Sequence, residues 1–518
     1  MTKRAFGATA ILSLLMVATP SGCGDDSSDD SADSGDGGDG TSGSGAGTGG
    51  GGSGAGGASG NAGEGGTSGR AGNGGASGEG GASGEGGMGA SGEGGMGGGG
   101  EGGTGGGAAG LGGNTEDTPI SERDSDGTFE CSVGQELVNY KPTTWGYTGG
   151  NIVATGDGGA WVVRSEAQET APFTYGPYSL LASPVDAAGT IGDGTTIPAD
   201  DAELVTSPRG IAIDGGLAAL WIESGGLWFA ALDDEGAITI QPREVVTDAS
   251  LMEASNLQLA RNAEGKIAAV WSTLGNNIPV IAITDDSGAD ATAVPFDEPS
   301  GYVPRIAGTA DGFAMLWRSF DPDFMDPSNV LFARLDATGA MQGDPVQLTD
   351  FEAQTFGATF GGSDLALLPV RDGYLVAWGE GEAGDFETST GAYSVLRVQA
   401  LSSEGEPIGE SALIEPRVDD VDQVEPSFVP WDDDTVALLW ASGSHIYICA
   451  GCVPDHSMHM QLIDPATFTP RSDVVTVEPQ MGGLLGRSHA VTGSDLLVAV
   501  GIQFHVHFEP GFTALHCE

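Results

Sequence analysis

One short pattern recurs between about residue 157 and residue 500 of this 518-residue chain: a glycine or acidic turn, then an alternating apolar strand that usually ends at tryptophan. The strands of the seven copies end at Val163, Trp221, Trp271, Trp317, Trp378, Trp440 and Val500. Alternation of apolar and polar residues at a period of two is typical of β-strands, and no window of 15 residues carries a competing helical period. The chain must therefore fold mainly as repeated β-structure.

The spacing of the copies limits the architectures that the chain can adopt. Successive strands end 46 to 62 residues apart. A unit of 40–60 residues that holds about four short strands is typical of a propeller blade. We therefore predict an all-β fold, a β-propeller of seven blades, with six as the other count. Two stacked β-sandwich domains are the alternative, but the regular recurrence of one unit fits them less well.

The repeat series also resembles a known group of proteins. Copies such as Asp311-Gly312-Phe313-Ala314-Met315-Leu316-Trp317 are similar to the divergent propeller-like repeats of bacterial surface lipoproteins, over roughly 390 residues. Because the motif is degenerate, the resemblance implies an architecture and carries no activity.

The chain begins with a segment typical of an export signal. Two basic residues precede an apolar run of 14 residues, Ala5–Ala18, which is too short to span a bilayer. The two small residues directly before Cys23 resemble the lipobox of bacterial lipoproteins. That resemblance implies a signal peptide over residues 1–22, acylation of Cys23, and a protein exported and lipid-anchored to the outer membrane or cell surface. The family usually has leucine where Pro20 stands, so ordinary signal-peptide cleavage is the alternative.

A glycine-rich stretch follows the cysteine. Between residues 24 and 113, 45 of 90 residues are glycine, and most of the others are small or acidic. Such a stretch has almost no apolar surface to bury and a maximal entropy cost of ordering. We therefore predict a lipidated cysteine and disordered tether over residues 23–128, and the propeller over residues 129–518.

The charge balance restricts the partners. With 73 acidic and 18 basic residues the formal net charge is −55, so a nucleic acid would be repelled. We predict no nucleic-acid partner. The expected partners are the membrane, through the lipid anchor, and a protein or glycan ligand.

Four further cysteines, an even number in an exported chain, predict two disulfides. Cys131 lies at the start of the repeat region and Cys517 lies at its end. A propeller brings these places together, because its last blade is commonly completed by an N-terminal strand. We predict the pairs Cys131–Cys517 and Cys449–Cys452.

All seven histidines fall in the last 74 residues. Imidazole is a preferred ligand of soft divalent metals, and His505 and His507 would share one face of a strand. These two residues, with His456 and His459, form a candidate zinc or copper site. The favoured interpretation is a structural loop disulfide with scattered surface histidines, and therefore no cofactor, because the spacing matches no zinc-finger pattern.

Sequence motifs for catalysis are absent from the repeat region, which contains no nucleophile elbow, phosphate loop or HExxH sequence. The leading hypothesis is therefore a tethered lipoprotein whose propeller is a non-catalytic binding or structural module. One alternative is an extracellular hydrolase or lyase that uses carboxylates and histidines of the last two blades. Another is metal binding by the histidine-rich end.

Overall fold

Twenty-eight strands and one short 3-10 turn, Ile120–Glu122, make up the regular structure in the part of the chain that this computed structural model describes. The described residues are 118–139, 147–154, 159–171, 174–186, 190–199, 205–248, 251, 254–273, 278–296, 301–319, 329–351, 365–381, 394–416, 418, 421–444, 457–478, 483–492, 495–504 and 507–518. The strands form seven four-stranded antiparallel sheets. The protein is a seven-bladed β-propeller, which confirms the prediction from the repeat. Within the described ranges, no helix is long and apolar enough to cross a membrane.

Blades 1 to 4 each use four consecutive strands. Blade 1 contains Tyr147–Ala154 (β2), Ala160–Ala171 (β3), Thr174–Val185 (β4) and Thr195–Ile197 (β5). Blade 2 contains Thr206–Ile213 (β6), Gly216–Glu223 (β7), Gly226–Asp233 (β8) and Ile238–Thr247 (β9). Blade 3 contains Ala254–Arg261 (β10), Lys266–Thr273 (β11), Pro279–Asp285 (β12) and Val294–Pro295 (β13). Blade 4 contains Gly301–Gly308 (β14), Gly312–Ser319 (β15), Val330–Asp336 (β16) and Val346–Gln347 (β17).

Blades 5 and 6 follow the same order, and blade 7 borrows a strand from the start of the repeat region. Blade 5 contains Leu365–Val370 (β18), Gly373–Gly381 (β19), Ser394–Ser402 (β20) and Pro407–Leu413 (β21). Blade 6 contains Val421–Asp432 (β22), Thr435–Ser444 (β23), Ser457–Ile463 (β24) and Val475–Val477 (β25). Blade 7 contains Gly483–Thr492 (β26), Asp495–Phe504 (β27), His507–Cys517 (β28) and Cys131–Asn139 (β1).

Each predicted copy of the repeat forms the second strand of a blade. Strands β7, β11 and β15 are buried on both faces because a neighbouring blade packs on each side, and all eight residues of β7 are buried. The tryptophans point toward the preceding blade: Trp271, for example, packs with Leu227 and Phe229 of blade 2. Full burial of such a side chain contributes roughly 2–3 kcal/mol. The recurring tryptophan is therefore the residue that joins one blade to the one before it.

The first strands of the blades contact one another in a closed ring around the axis. Polar side chains connect them. Asn151 of blade 1 donates to and accepts from the backbone of Gly210 in blade 2, at 2.9 and 2.6 Å. The Arg209 Nε donates to the carbonyl oxygen of Leu257 in blade 3 at 3.1 Å. These bonds join residues at the same position in successive first strands, so the strands run in the same direction around the ring.

Strand β1 closes the ring by pairing antiparallel with β28. Cys131 stands opposite Cys517 in this register, and their sulfur atoms form a disulfide across a sequence separation of 386 residues. The predicted Cys131–Cys517 pair is therefore confirmed. In the chain-entropy model a loop of this length stabilises the fold by up to about 5–6 kcal/mol.

A tight turn between the third and fourth strands recurs in blades 2 to 5. It places a glycine with a positive φ against an apolar side chain of the preceding blade. The glycine and its neighbour are Gly236 with Trp161, Gly288 with Phe229, Gly339 with Ile281 and Ile283, and Gly405 with Phe332. The turn thus packs one blade against the next, and at Gly236, Gly288 and Gly405 the approach leaves no room for a Cβ atom.

The segment directly before β1 also lies on the propeller. Residues 118–130, hereafter the strap, include the end of the stretch assigned above to the tether. Ile120 is fully buried between blades 5 and 6. The Phe129 amide donates to the carbonyl oxygen of Arg471 at 2.9 Å. Ordered packing against the propeller therefore begins no later than residue 118.

Candidate functional site

The connections between blades, and those between the second and third strands of a blade, leave the sheets at the same end. The antiparallel register shows this in blade 4, where Gly301 at the start of the first strand pairs with Ser319 at the end of the second. We call this end the loop face. The polar residues that a propeller can assemble there come from several blades, because each blade presents only its strand ends.

A cluster of polar side chains lies at the loop face of blade 6. The register pairs Ser442 with Ser457, Trp440 with His459, and His459 with Thr476. Residues paired in this way project from the same face of a sheet. Trp440 packs in the core between blades 5 and 6, so the whole set faces blade 5.

His459 is the centre of this cluster. Its Nε2 lies 2.8 Å from the hydroxyl oxygen of Ser442, and its Nδ1 lies 3.0 Å from the hydroxyl oxygen of Thr476. The ring stacks on the indole of Trp440, with centroids 5.3 Å apart. The His459 side chain is only 12% exposed. These contacts fix the orientation of the imidazole and join it to two hydroxyl groups.

Glu415 brings a carboxyl group from the connection between blades 5 and 6. Its Oε1 lies 4.0 Å from the His459 Nε2, and its side chain is 18% exposed. Burial raises the pKa of Glu415, although the side chains of Trp440 and Ser442, which face the carboxylate, act in the opposite direction. The Trp440 indole N–H makes no aligned hydrogen bond in this position. Glu415 is therefore a carboxyl group that retains its proton to a higher pH than an exposed glutamate.

The backbone around Glu415 is held from blade 6. The Gln423 amide nitrogen donates to the carbonyl oxygens of Glu415 and Pro416, at 3.4 and 3.1 Å, and its amide oxygen accepts from the Leu396 amide at 3.0 Å. A second carboxyl group lies at the same edge of blade 6, where Glu478 accepts from the Ser457 hydroxyl at 2.6 Å.

The arrangement favours proton transfer over nucleophilic catalysis. Ser442 and His459 are within the distance at which an imidazole activates a hydroxyl. However, the other imidazole nitrogen contacts the Thr476 hydroxyl rather than a carboxylate, so the third member of a catalytic triad is not in place. A buried glutamic acid with a raised pKa is a general acid in its protonated form.

The residue two positions after the tryptophan of the second strand differs between blades. In blades 2 and 5 the tryptophan indole donates to a glutamate two residues later: Trp221 to Glu223 at 2.9 Å, and Trp378 to Glu380 at 3.1 Å. Blades 3, 4 and 6 have Thr273, Ser319 and Ser442 at that position. A hydroxyl residue there is therefore not peculiar to blade 6, and no local sequence signal identifies Ser442, Glu415 or Thr476 as members of the site.

The structure describes only some of the residues predicted for the metal site and the second disulfide. Cys23, Cys449, Cys452, His456 and His505 lie outside the described residues, and for His507 only the backbone in β28 is described. His459 has both ring nitrogens engaged by hydroxyl groups. Among the side chains that the structure describes, no three histidines, cysteines or carboxylates are grouped to hold a metal ion. The zinc or copper site and the Cys449–Cys452 disulfide stay predictions.

A second histidine contacts carboxylates at the opposite end of the sheets. The His516 Nδ1 lies 2.7 Å from Asp495, and its Nε2 lies 3.1 Å from Glu518. These hydrogen bonds, the one to Glu518 first, raise the pKa of His516. The group sits beside the Cys131–Cys517 disulfide, away from the loop face, and we assign it to the closure of the ring.

Comparisons with known proteins give no family assignment. No family model and no curated protein matches the chain. Solved structures that are similar include a polysaccharide lyase, Uly1 (7% identity, TM-score 0.45, 74% of this chain and 94% of that one). A Dyadobacter fermentans protein of unknown function is similar at 10% identity (TM-score 0.43, 75% and 99%). A Penicillium chrysogenum α-L-arabinanase in complex with arabinobiose is similar at 11% identity (TM-score 0.37, 62% and 96%). Similarity this low transfers no activity.

Proposed function

We propose that the propeller is an extracellular hydrolase that cleaves a glycan at the loop face of blade 6. The observation that carries this proposal is the chain of contacts from Glu415 through Ser442 to His459. It brings a carboxyl group of raised pKa within 4.0 Å of an imidazole. A grouping of this kind is what separates a site for proton transfer from scattered surface residues.

Each residue has a defined role in this proposal. Glu415, in its protonated form, donates its proton to the glycosidic oxygen as the carbon–oxygen bond breaks. The carboxylate of Glu478, at the same edge of the blade, accepts a proton from the water that attacks the sugar carbon. The net reaction adds one water molecule to the glycosidic bond. Ser442 and His459 orient the Glu415 carboxyl group and provide a route by which it regains a proton.

The charge of the chain favours a neutral glycan. Elimination by a lyase requires an acidic C–H next to a carboxyl group, and therefore a uronate polymer, which carries one negative charge per such sugar. A chain with a formal net charge of −55 repels such a polymer. Hydrolysis of a neutral polysaccharide avoids this repulsion, so we favour hydrolysis over elimination.

A non-catalytic binding propeller is the second candidate. It is favoured by the small exposure of His459 and Glu415, 12% and 18%, and by hydrogen bonds that already engage both imidazole nitrogens. Such a surface suits rigid recognition of a protein or glycan ligand. The two candidates differ in one result, the cleavage of a bound polymer.

The test uses the full-length mature protein on a panel of neutral and uronate polysaccharides, with new reducing ends as the measurement. We expect cleavage of a neutral polymer, and a loss of about 10²–10⁴-fold in kcat for Glu415→Gln. The rate of the wild-type enzyme should fall as the pH rises through the raised pKa of Glu415. The matched control is Glu223→Gln, which changes a buried glutamate at the same end of blade 2. Saturable glycan binding without cleavage would instead establish the binding function.

We also propose that the protein is exported and anchored by a lipid on Cys23, which holds the propeller outside the cell. The support is the export signal and the two small residues before that cysteine. Labelling with a palmitate analogue should mark the mature protein and not a Cys23→Ser variant. An unlabelled wild-type protein would show ordinary signal-peptide cleavage.

A further inference from the structure

The strap wraps the outer edge of blade 6. At its start Ile120 is fully buried in the core between blades 5 and 6. At its end Phe129 is partly buried and packs against the core between blades 6 and 7, with its ring edge-on to Trp431 at 6.5 Å. A segment whose side chains pack on two successive cores is held against the blade between them.

The strap contacts the backbone of the candidate site directly. The Ser121 amide donates to the carbonyl oxygen of Ile414 at 2.9 Å, and the Ile414 amide donates to the carbonyl oxygen of Leu396 at 3.0 Å. Glu415 is the next residue along the chain. The strap therefore holds the carbonyl group of the peptide unit between Ile414 and Glu415, and β20 holds the amide group of the preceding peptide unit.

The strap also supports the imidazole. Ile120 belongs to the same buried cluster as Trp440 and Ile414. The Trp440 indole stacks on His459, with centroids 5.3 Å apart. A cavity at Ile120 would therefore loosen the packing behind both halves of the site, since the neighbours of a deleted side chain relax only partially.

We propose that Ile120 and Ser121 are positioning residues, which set the distance between the Glu415 carboxyl group and the His459 imidazole. This inference rests on the function proposed for that site. It makes the residues at the end of the tether part of the active unit, although none of them reaches the reacting atoms. A shift of about 1 Å in such a pair is enough to lower a rate about 100-fold.

The test compares three variants of the full-length mature protein. Ile120→Ala removes the buried side chain, and Ile120→Val keeps most of it. Ile197→Ala is the matched control, because Ile197 is 1% exposed in blade 1, in a different core. Two quantities are measured: the ¹⁵N resonances of the His459 imidazole, assigned with His459→Gln, and kcat and KM on the cleaved polymer.

We expect Ile120→Ala to shift the His459 resonances and to lower kcat about 10- to 100-fold at a nearly unchanged KM. Ile120→Val should shift the His459 resonances and lower kcat by a smaller amount. If the alanine variant does not fold, the valine variant decides the test. Ile197→Ala should lower the unfolding midpoint and leave both readouts at wild-type values. Unshifted His459 resonances in both Ile120 variants would overturn the inference. If the wild-type protein cleaves no polymer, the proposed function fails, and the resonances alone decide whether the strap positions the site.

Discussion

Replacing Gly288 by alanine tests the packing of one blade against the next. Gly288 lies in the turn after β12 with a φ of +67°. A Cβ atom there would lie 2.5 Å from the Cδ1 and 2.9 Å from the Cγ of Phe229 in blade 2. Phe229 is fully buried, so its ring has little freedom to move away. The substitution therefore adds backbone strain and a steric clash at the same residue.

The two costs can be separated with a matched glycine. Gly215 has a φ of +75°, and a Cβ atom there would meet nothing within 4 Å. Gly215→Ala should therefore cost only the strain of a left-handed alanine, about 1–2 kcal/mol. Gly288→Ala should add about 1–3 kcal/mol for overpacking, so its total loss is about 2–5 kcal/mol.

Urea unfolding of the two variants and the wild type, followed by tryptophan fluorescence, measures the free energies. The double variant Gly288→Ala with Phe229→Leu adds a further check, because a smaller side chain makes room for the new methyl group. The double variant should lose less free energy of unfolding than the sum of the losses in the two single variants. The reasoning would be refuted if Gly288→Ala and Gly215→Ala lost the same stability.

Three further predictions concern the folded propeller. His516→Gln should lower the melting temperature more at about pH 5.5 than at about pH 8.5. The reason is that hydrogen bonds raise the pKa of His516 in the folded protein. They stabilise the fold fully at a pH below the pKa of this histidine in the unfolded chain, and the stabilisation is lost as the pH rises through the pKa in the folded protein. Asp285→Asn should destabilise more at neutral pH than near pH 3 in urea unfolding, because hydrogen bonds, first that of the Ser287 hydroxyl, lower the pKa of Asp285. Replacing Cys131 and Cys517 by serine should cost up to about 5–6 kcal/mol by the same measurement.

The blades could be predicted because their signal is local. Each second strand follows a turn signal such as Asp311-Gly312 and alternates through apolar residues, and its tryptophan returns at a nearly regular interval. A strand buried on both faces requires this composition wherever it stands in the ring. The closing disulfide was predictable for a related reason, since a ring must bring Cys131 and Cys517 together.

The start of the ordered region was not predictable in the same way. Residues 118–128 are polar and follow a glycine-rich stretch, so composition assigned them to the tether. Ile120 is buried only because the cleft between blades 5 and 6 accepts it. A single apolar residue has no period, and therefore gives no signal of its own.

The sequence by itself determined that the chain repeats one β-unit, and it predicted a ring of seven units, with six as the other count, that Cys131 and Cys517 close, because these properties depend on local periodicity and on the positions of the two cysteines. Only the tertiary structure decided which polar groups meet. Glu415, Ser442, His459 and Thr476 lie on four separate segments, and they come together because strand register and the packing of blade 5 on blade 6 place them on one face. Contacts of this kind join residues distant in sequence, so no local pattern can show them.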